Sequence, residues 1–95
     1  MSYIPKPIDT TKVMLSEDIL DLTELLAKNT HEVWAQQRIK DGWTYGDKKD
    51  DSLKQTPCMI PYEDLPETEK VYDRKITLET LKLITKLGYE IKKII

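Results

Sequence analysis

The stretch 31–74 constrains this chain most, because a glycine break and a proline-bounded segment there separate two helical regions. It contains both tryptophans, the only histidine and the only cysteine of the 95 residues. Gly42 follows a helical segment, where glycine often ends a helix because it accepts a positive φ angle. Pro66 suits the first turn of a helix. The stretch therefore predicts a helix, a tight break, a charged loop over 47–56 and a return into a second helix.

The residues before Gly42 predict one long helix over 17–41. Ser16 is a favourable N-cap, and the acidic residues after it suit the positive end of the helix dipole. At about 100° per residue, one apolar stripe is expected to face the core. Its members are Ile19, Leu22, Leu26, Thr30 and Val33. The neighbouring flank carries His31, Trp34 and Arg38 in a row. Asn29 and Thr30 are weak helix formers and leave a break near them open.

The last third of the chain predicts two more helices. Residues 67–73 suit a short helix that follows Pro66. Thr77 is a good N-cap for a last helix, which should end at Gly88. Apolar residues cover more than half of the circumference of this last helix. It is therefore expected to pack on two sides.

Both ends of the chain are expected to be extended. Two prolines near the start do not suit a helix interior, so 1–15 predicts an extended N-terminal arm. The tail 89–95 alternates only in part, and it would either pair as a strand with 12–15 or remain an extended end. Together these features predict a mainly α fold in a single domain over 1–95. It would have a long first helix, a charged loop, a short helix, a last helix and a small β element from the termini.

Charge and cysteine content exclude several classes of protein. The 15 basic and 17 acidic residues are interspersed and leave a net charge of −2. Binding to nucleic acid or to an anionic membrane surface needs a basic excess. A single cysteine cannot form an internal disulfide, and no apolar run reaches the ~18 residues that would span a membrane. We therefore expect a cytoplasmic protein without nucleic-acid or membrane partners.

No residue pattern predicts catalysis, a metal site or a cofactor. His31 has no serine or cysteine at a spacing that suggests a nucleophile pair, and a structural hydrogen bond is the favoured role for it. Cys58 stands among proline and apolar residues, which favours a small buried side chain over a reactive thiolate. One histidine, one cysteine and scattered carboxylates match no zinc or calcium ligand spacing. The expected protein is not an enzyme and carries no cofactor.

Trp43 and Tyr45 leave two interpretations open. In the first, Trp43 plugs the open end of the helix pair, since tryptophan is usually largely buried. In the second, the two rings form an aromatic platform for a flat, charged small molecule or for a partner's side chain. The charged residues expected around this platform are Arg38, Asp50, Asp51 and Lys54. Arg38 is equally compatible with an ion pair to Asp51, which would lock the loop onto the helix.

An ordered series of motifs over about residues 3–91 resembles the ryanodine-receptor repeat domain. After the lead YIPKPIDTTKVML, the series runs HEVW, R, GWTYG, DD, K, PC, PY, LP, EK, YDR and ETLK–LGY. The family forms paired cytosolic repeats within giant calcium-release channels and also occurs in bacteria. A lone copy is similar to the stand-alone bacterial kind. The resemblance implies a mostly helical, non-enzymatic binding module with a small β element from the chain ends.

The resemblance also implies a ligand and a partner. In the channels two repeats pack about a pseudo-twofold axis, and a nucleotide or drug-like molecule can bind between them, beside the tryptophan that corresponds to Trp43. Carried over to this chain, the expected ligand-binding residues are Trp43, Tyr45, Arg38, Asp50, Asp51 and Lys54. A single repeat lacks its second half, so a homodimer that mimics the tandem is expected. Lys49 stands where the family usually has arginine, and lysine cannot make the planar bidentate contact. The alternative is a protein–protein interaction or scaffold domain with no small-molecule ligand.

Overall fold

The computed structural model describes residues 2–95 and is mainly helical, as predicted. Three helices make up most of the regular secondary structure, and a two-stranded sheet and a single 3-10 turn lie between the second and third of them. The elements are α1 (Glu17–Leu20), α2 (Thr23–Lys40), β1 (Thr44–Tyr45), β2 (Gln55–Thr56), the 3-10 turn (Tyr62–Asp64) and α3 (Glu67–Lys86). No helix within the described part of the chain combines the length and apolarity needed to cross a bilayer.

The first helical region is interrupted one turn after its start. The prediction was one helix over 17–41, but α1 ends at Leu20 and α2 begins at Thr23. The backbone tightens here, because the Leu22 amide bonds the Ile19 carbonyl at 3.1 Å and the Thr23 hydroxyl donates to the Leu20 carbonyl at 2.7 Å. The break left open near Asn29 and Thr30 is absent. The Thr30 hydroxyl instead bonds the Leu26 carbonyl of the preceding turn at 2.9 Å.

The buried face of α2 is not the predicted apolar stripe. Ala27 is fully buried and His31 nearly so, whereas Leu22 and Val33 are 42% and 58% exposed. Of the predicted stripe, only Ile19, which lies in α1, is buried; Leu26 is half-buried and Thr30 is exposed. The predicted stripe was wrong because α2 turns the small side chain of Ala27 toward the core. Ala27 leaves room for the side chains of Tyr62 and Leu65, which pack against it.

Helix α3 is one continuous helix of 20 residues, where a short helix and a separate last helix were predicted. It follows Pro66, whose carbonyl accepts bonds from the Glu69 and Lys70 amides at 3.0 and 3.1 Å. The predicted cap at Thr77 lies inside the helix and does not begin a new one. The predicted end at Gly88 is confirmed. The 3-10 turn at Tyr62–Asp64 is the short helical element that lies directly before Pro66.

The small β element comes from the charged loop and not from the termini. β1 and β2 pair in parallel, with Thr44 opposite Gln55 and Tyr45 opposite Thr56. A Cβ on Gly46 would lie 2.7 Å from the Gln55 Cβ, so a glycine permits this close approach. Residues 12–15 and 89–95 form no strand, which corrects the prediction of a terminal sheet. The two ends of the loop pair with each other, since the Thr44 amide bonds the Lys54 carbonyl at 2.9 Å and the Gly46 amide bonds the Thr56 carbonyl at 3.3 Å.

The extended N-terminal arm lies along α3. The Thr10 hydroxyl donates to a Glu79 carboxylate oxygen at 2.6 Å, and Thr10 is buried by this contact. The Lys86 ammonium donates to the Asp9 carbonyl of the arm. The arm is therefore attached to α3 at two points, while its apolar side chains before these points remain exposed.

A polar network joins α2 to α3. The Arg74 guanidinium spans two carboxylates, with bonds to Glu24 at 2.7 and 3.0 Å and to Glu67 at 2.8 Å. The Tyr62 hydroxyl donates to Glu24 at 2.9 Å. Hydrogen bonds from Arg74 are the main cause that lowers the pKa of both Glu24 and Glu67 below their ordinary value. Arginine suits this role because its planar fork presents several donors in fixed geometry.

This network should make stability depend on Arg74 in a pH-dependent way. A carboxyl whose pKa is lowered by folding stabilises the protein above its unfolded pKa, and that stability is lost as pH falls through the folded pKa. We expect Arg74→Gln to lower Tm at neutral pH. The difference in Tm between this variant and the unchanged chain should disappear as pH falls below about 4.5, the ordinary pKa of these carboxyl groups. Thermal unfolding across this range would measure it. Lys75→Gln, an exposed neighbour, is the control, and a gap that stays constant into acid would contradict the assignment.

Candidate functional site

Five side chains form a continuous stack along α2, and we call this set the aromatic column. Its members, in order, are Tyr62, His31, Trp34, Arg38 and Trp43. The rings of Tyr62 and His31 lie 6.2 Å apart, those of His31 and Trp34 lie 5.4 Å apart, and the Arg38 guanidinium carbon lies 5.7 Å from the Trp34 ring. Spacings of three and four residues place the three α2 members on one helix face. The flank predicted beside the core is therefore the face on which the site is built.

The end of α2 positions Trp43 over Arg38. Gly42 has a φ of 94°, and its amide bonds the Ile39 carbonyl while the Trp43 amide bonds the Arg38 carbonyl at 2.9 Å. These two bonds define a Schellman motif, which brings the residue after the glycine back against the last turn of the helix. The Arg38 guanidinium carbon then lies 5.0 Å from the Trp43 ring centre. The sequence predicted this glycine end, and the structure confirms it.

Arg38 lies between two indoles and has no acidic partner among residues 2–95. Asp51 does not pair with it and is instead 4.0 Å from the Lys49 ammonium, so the alternative of an Arg38–Asp51 lock is not realised. Arg38 is half-buried, and its polar edge makes no hydrogen bond to the described protein atoms. A guanidinium that contacts ring faces and has no acidic partner keeps its N–H donors available to an anion.

His31 has the structural role that the sequence favoured. Its Nε2 lies 2.7 Å from the Ile60 carbonyl oxygen. A carbonyl can only accept, so Nε2 carries the proton and donates. Cys58 is half-buried, and burial, followed by the nearby Glu69 charge, raises the pKa of its thiol. A thiol with a raised pKa is a poor nucleophile at neutral pH, which is consistent with the packing role predicted for it.

The remaining predicted site residues mainly hold the loop. The Asp50 carboxylate accepts bonds from the Ser52 amide, the Ser52 hydroxyl and the Leu53 amide, and the Ser52 hydroxyl bond is the main cause that lowers its pKa. Lys54 adopts a φ of 53° and donates to the Asp41 carbonyl at 2.8 Å, which fixes the loop to the end of α2.

Tyr45 lies at the rim of this region. Its hydroxyl donates to Asp47 at 3.2 Å, and the side chain is 54% exposed. Trp43 is half-buried, so one part of the indole packs on Arg38 and another part faces solvent. The structure thus brings Arg38 and Trp43 together, anchors Lys54 and Asp50 within the loop beside them, and leaves Tyr45 and Asp51 exposed at its surface.

A cavity at the other end of the column was not predicted. It has a volume of about 210 Å³ and lies between α2 and α3. His31, Trp34, Cys58 and Leu65 form one side, and Glu69, Tyr72 and Asp73 of α3 form the other. The three α3 residues have the spacing of one helix face, which is the signal that could have indicated them. All three lie within the short helix predicted over 67–73, but the sequence did not show that this face lies opposite α2.

Comparison with known protein families identifies the family of this chain. The family model described as RyR domain matches residues 3–93 of the 95. The chain therefore belongs to the RyR domain family, which is a family of non-catalytic repeat domains. This confirms the resemblance carried by the motifs from the N-terminal lead to the last helix.

Proposed function

We propose that this chain is a non-enzymatic, cytoplasmic binding module that holds a nucleotide-like small ligand at the Trp43 end of the aromatic column. The observation that carries the proposal is the Arg38 guanidinium, which lies between two indoles without an acidic partner in residues 2–95. A phosphate is the natural partner of such a fork, and a flat base suits the part of Trp43 that faces solvent.

The neighbouring residues complete the proposed site. The base would stack on Trp43 beside the exposed ring of Tyr45, and the phosphates would lie toward Arg38. Asp50 and Lys54 hold the loop in place through their own hydrogen bonds, and Asp51 would remain at the rim. Lys49, which stands in the position of the family arginine, would contribute only as a point charge.

Fluorescence titration with adenosine, AMP, ADP and ATP tests this site. A Trp34→Phe background leaves Trp43 as the sole indole, so a change in emission reports on the proposed contact. We expect saturable binding that strengthens with phosphate number, and a loss of about tenfold or more in affinity in Arg38→Ala, because one charge-assisted contact contributes about 1.4 kcal/mol or more. Trp43→Ala, followed by calorimetry, should lose binding to a similar extent.

The controls separate a specific contact from general charge. Lys40→Ala removes one positive charge from the same helix on its exposed side and should leave affinity unchanged. Arg38→Lys keeps the charge but loses the planar fork, so it should bind more weakly than the unchanged chain. The proposal would be contradicted if the folded protein bound none of these nucleotides, or if Lys40→Ala and Arg38→Ala lost equal affinity.

We also propose that the chain forms a homodimer through the outer face of α2. The buried apolar core is thin, with Ile19, Ala27, Tyr62 and Leu65 its only fully buried apolar members among the described residues. The radius of gyration is 16.2 Å, against about 12 Å for a compact domain of this length. A large exposed apolar surface on a small domain is typical of an interface.

The outer face of α2 is the best candidate for this contact because it turns away from the buried Ala27 side. Its apolar members are Leu25, Val33 and Ile39, which are 64%, 58% and 60% exposed. They lie within an arc of about 120° on the helix. We expect light scattering to give twice the chain mass of 11.1 kDa, and Ile39→Glu to give the single mass. Leu53→Glu, on an equally exposed loop leucine, is the control. A monomer at high concentration would favour the alternative of a scaffold with a different protein partner.

A further inference from the structure

The cavity between α2 and α3 carries charge that nothing in the described chain neutralises. Glu69 and Asp73 both line it, and neither side chain makes a hydrogen bond or an ion pair with residues 2–95. Two other acidic residues near the start of α3 behave differently, because Glu67 is bound by Arg74 and Glu63 is bound by Lys28 at 2.5 Å. Asp64 also has no side-chain partner among residues 2–95, but it does not line the cavity, whereas Glu69 and Asp73 do.

The pKa shift of Cys58, and not that of Asp73, agrees with a negative field in this cavity. Desolvation is the main cause that raises the pKa of the Asp73 carboxyl, while His31 lowers this pKa by more than the Glu69 charge raises it. The same two carboxylates help to raise the pKa of Cys58, and Lys49 on the charged loop opposes them weakly. His31 is the only basic side chain that lines the cavity, and its Nε2 is already bound to Ile60. The local charge therefore favours a cation from outside the chain.

The walls define which cation would fit. At about 30 Å³ for each water, the 210 Å³ volume corresponds to about seven waters, which is small for a nucleotide but suits a side-chain head group on an aliphatic stem. Trp34, Leu65 and the Tyr72 ring provide apolar walls for the stem. A metal ion is not favoured, since residues 2–95 contain no group of three or more side chains placed to coordinate one.

We propose that this cavity is a second binding site, which takes a guanidinium group on an aliphatic stem. Glu69 and Asp73 are four residues apart on α3, so their side chains are neighbours about 6 Å apart at Cβ. The planar guanidinium group can span such a pair of carboxylates. The same arrangement already occurs in this chain, where Arg74 spans Glu24 and Glu67. An ammonium has no such fork and would satisfy the two carboxylates less well. This site lies on the far side of Trp34 from Arg38 and does not require a ligand at Trp43.

An NMR titration with paired ligands tests the site. N-acetyl-arginine amide is compared with N-acetyl-citrulline amide, which has nearly the same shape without the charge. We expect saturable shifts for the arginine compound at the Trp34 indole, Cys58 and Tyr72, and at least tenfold weaker binding for citrulline. Butylguanidinium separates the two sources of the group. Binding by it assigns the site to the head group alone, whereas binding only by the amide assigns it to an arginine on a partner chain.

Variants link the shifts to the two carboxylates. Glu69→Gln and Asp73→Asn should each weaken binding of the arginine compound at least tenfold, while Glu32→Gln, an exposed α2 position outside the cavity, should not. Asp73→Asn should also leave Tm unchanged or higher, which shows that a lost affinity is not lost folding. The proposal is overturned if citrulline binds as well as arginine, if both cavity variants bind normally, or if no saturable shift appears at millimolar ligand.

Discussion

Ala27→Leu is expected to destabilise the fold by about 3 kcal/mol, the upper end for overpacking a filled core. Ala27 of α2 is fully buried beneath the side chains of Tyr62 and Leu65. A larger side chain there would push the 3-10 turn away from α2, and the core has few other buried residues to compensate. At about 4–8 °C per kcal/mol for a domain of this size, Tm should fall by at least about 12 °C.

Ala35→Leu is the matched control for this prediction. The substitution is chemically identical and lies on the same helix, but Ala35 is only half-buried and borders the open groove at the outer surface of α2. Helix propensity changes equally in both variants. Urea unfolding followed by circular dichroism should place Ala35→Leu within about 0.5 kcal/mol of the unchanged chain. Similar values for the two variants would mean that the buried face of α2 has been assigned to the wrong side.

The C-terminal ends of α2 and α3 could be predicted from the sequence because they depend on local chemistry. Gly42 and Gly88 both end helices. In each case the amide of the following residue bonds a carbonyl in the last turn of the helix, as is typical after such a glycine. Pro66 likewise marks the start of α3. Each of these signals acts within a few residues, so no knowledge of tertiary contacts was needed.

The buried face of α2 could not be predicted, because it depends on what packs against the helix. Apolar periodicity favoured the stripe with Leu22 and Val33, but an exposed apolar stripe that binds another chain has the same periodicity as a buried one. The 3-10 turn presents Tyr62 and Leu65 to Ala27, and this contact spans more than thirty residues of sequence. The only sequence signal for this buried face was the small side chain of Ala27 among polar neighbours.

The candidate site was predictable in part for the same reason. Arg38 and Trp43 meet through a local motif, so their proximity followed from the glycine and the helix spacing. Glu69, Tyr72 and Asp73 all lie in the short helix predicted over 67–73, and they were missed because their approach to α2 depends on how α3 packs against it. The helix start predicted at Thr77 was a separate error. Threonine also occurs inside helices, where its hydroxyl can bond a carbonyl of the preceding turn, so a single N-cap residue is weak evidence for a boundary.

His31→Leu is expected to destabilise the domain by about 2–3 kcal/mol, because it leaves a half-buried carbonyl without its donor and removes a stacked ring. The imidazole Nε2 donates to Ile60 and the ring packs between Trp34 and Tyr62. Leucine has a similar volume and a good helix propensity, so neither a large cavity nor a helix defect accounts for the expected loss. Urea unfolding measures this loss, with all variants in the Ile39→Glu background because Glu32 borders the proposed dimer face. Glu32→Leu, at the next and exposed position, should change stability by about 0.5 kcal/mol or less.

His31→Gln separates the two causes. The glutamine amide nitrogen can occupy the place of Nε2 and donate to Ile60, but it has no ring to stack on Trp34. If the hydrogen bond dominates, His31→Gln should recover most of the stability lost in His31→Leu, and the Trp34 fluorescence should still change because its stacked neighbour is gone. If both variants lose the same stability, stacking within the aromatic column is the larger contribution. If His31→Leu is as stable as Glu32→Leu, His31 has no structural role, and its burial would then be retained for a contact with a ligand or partner.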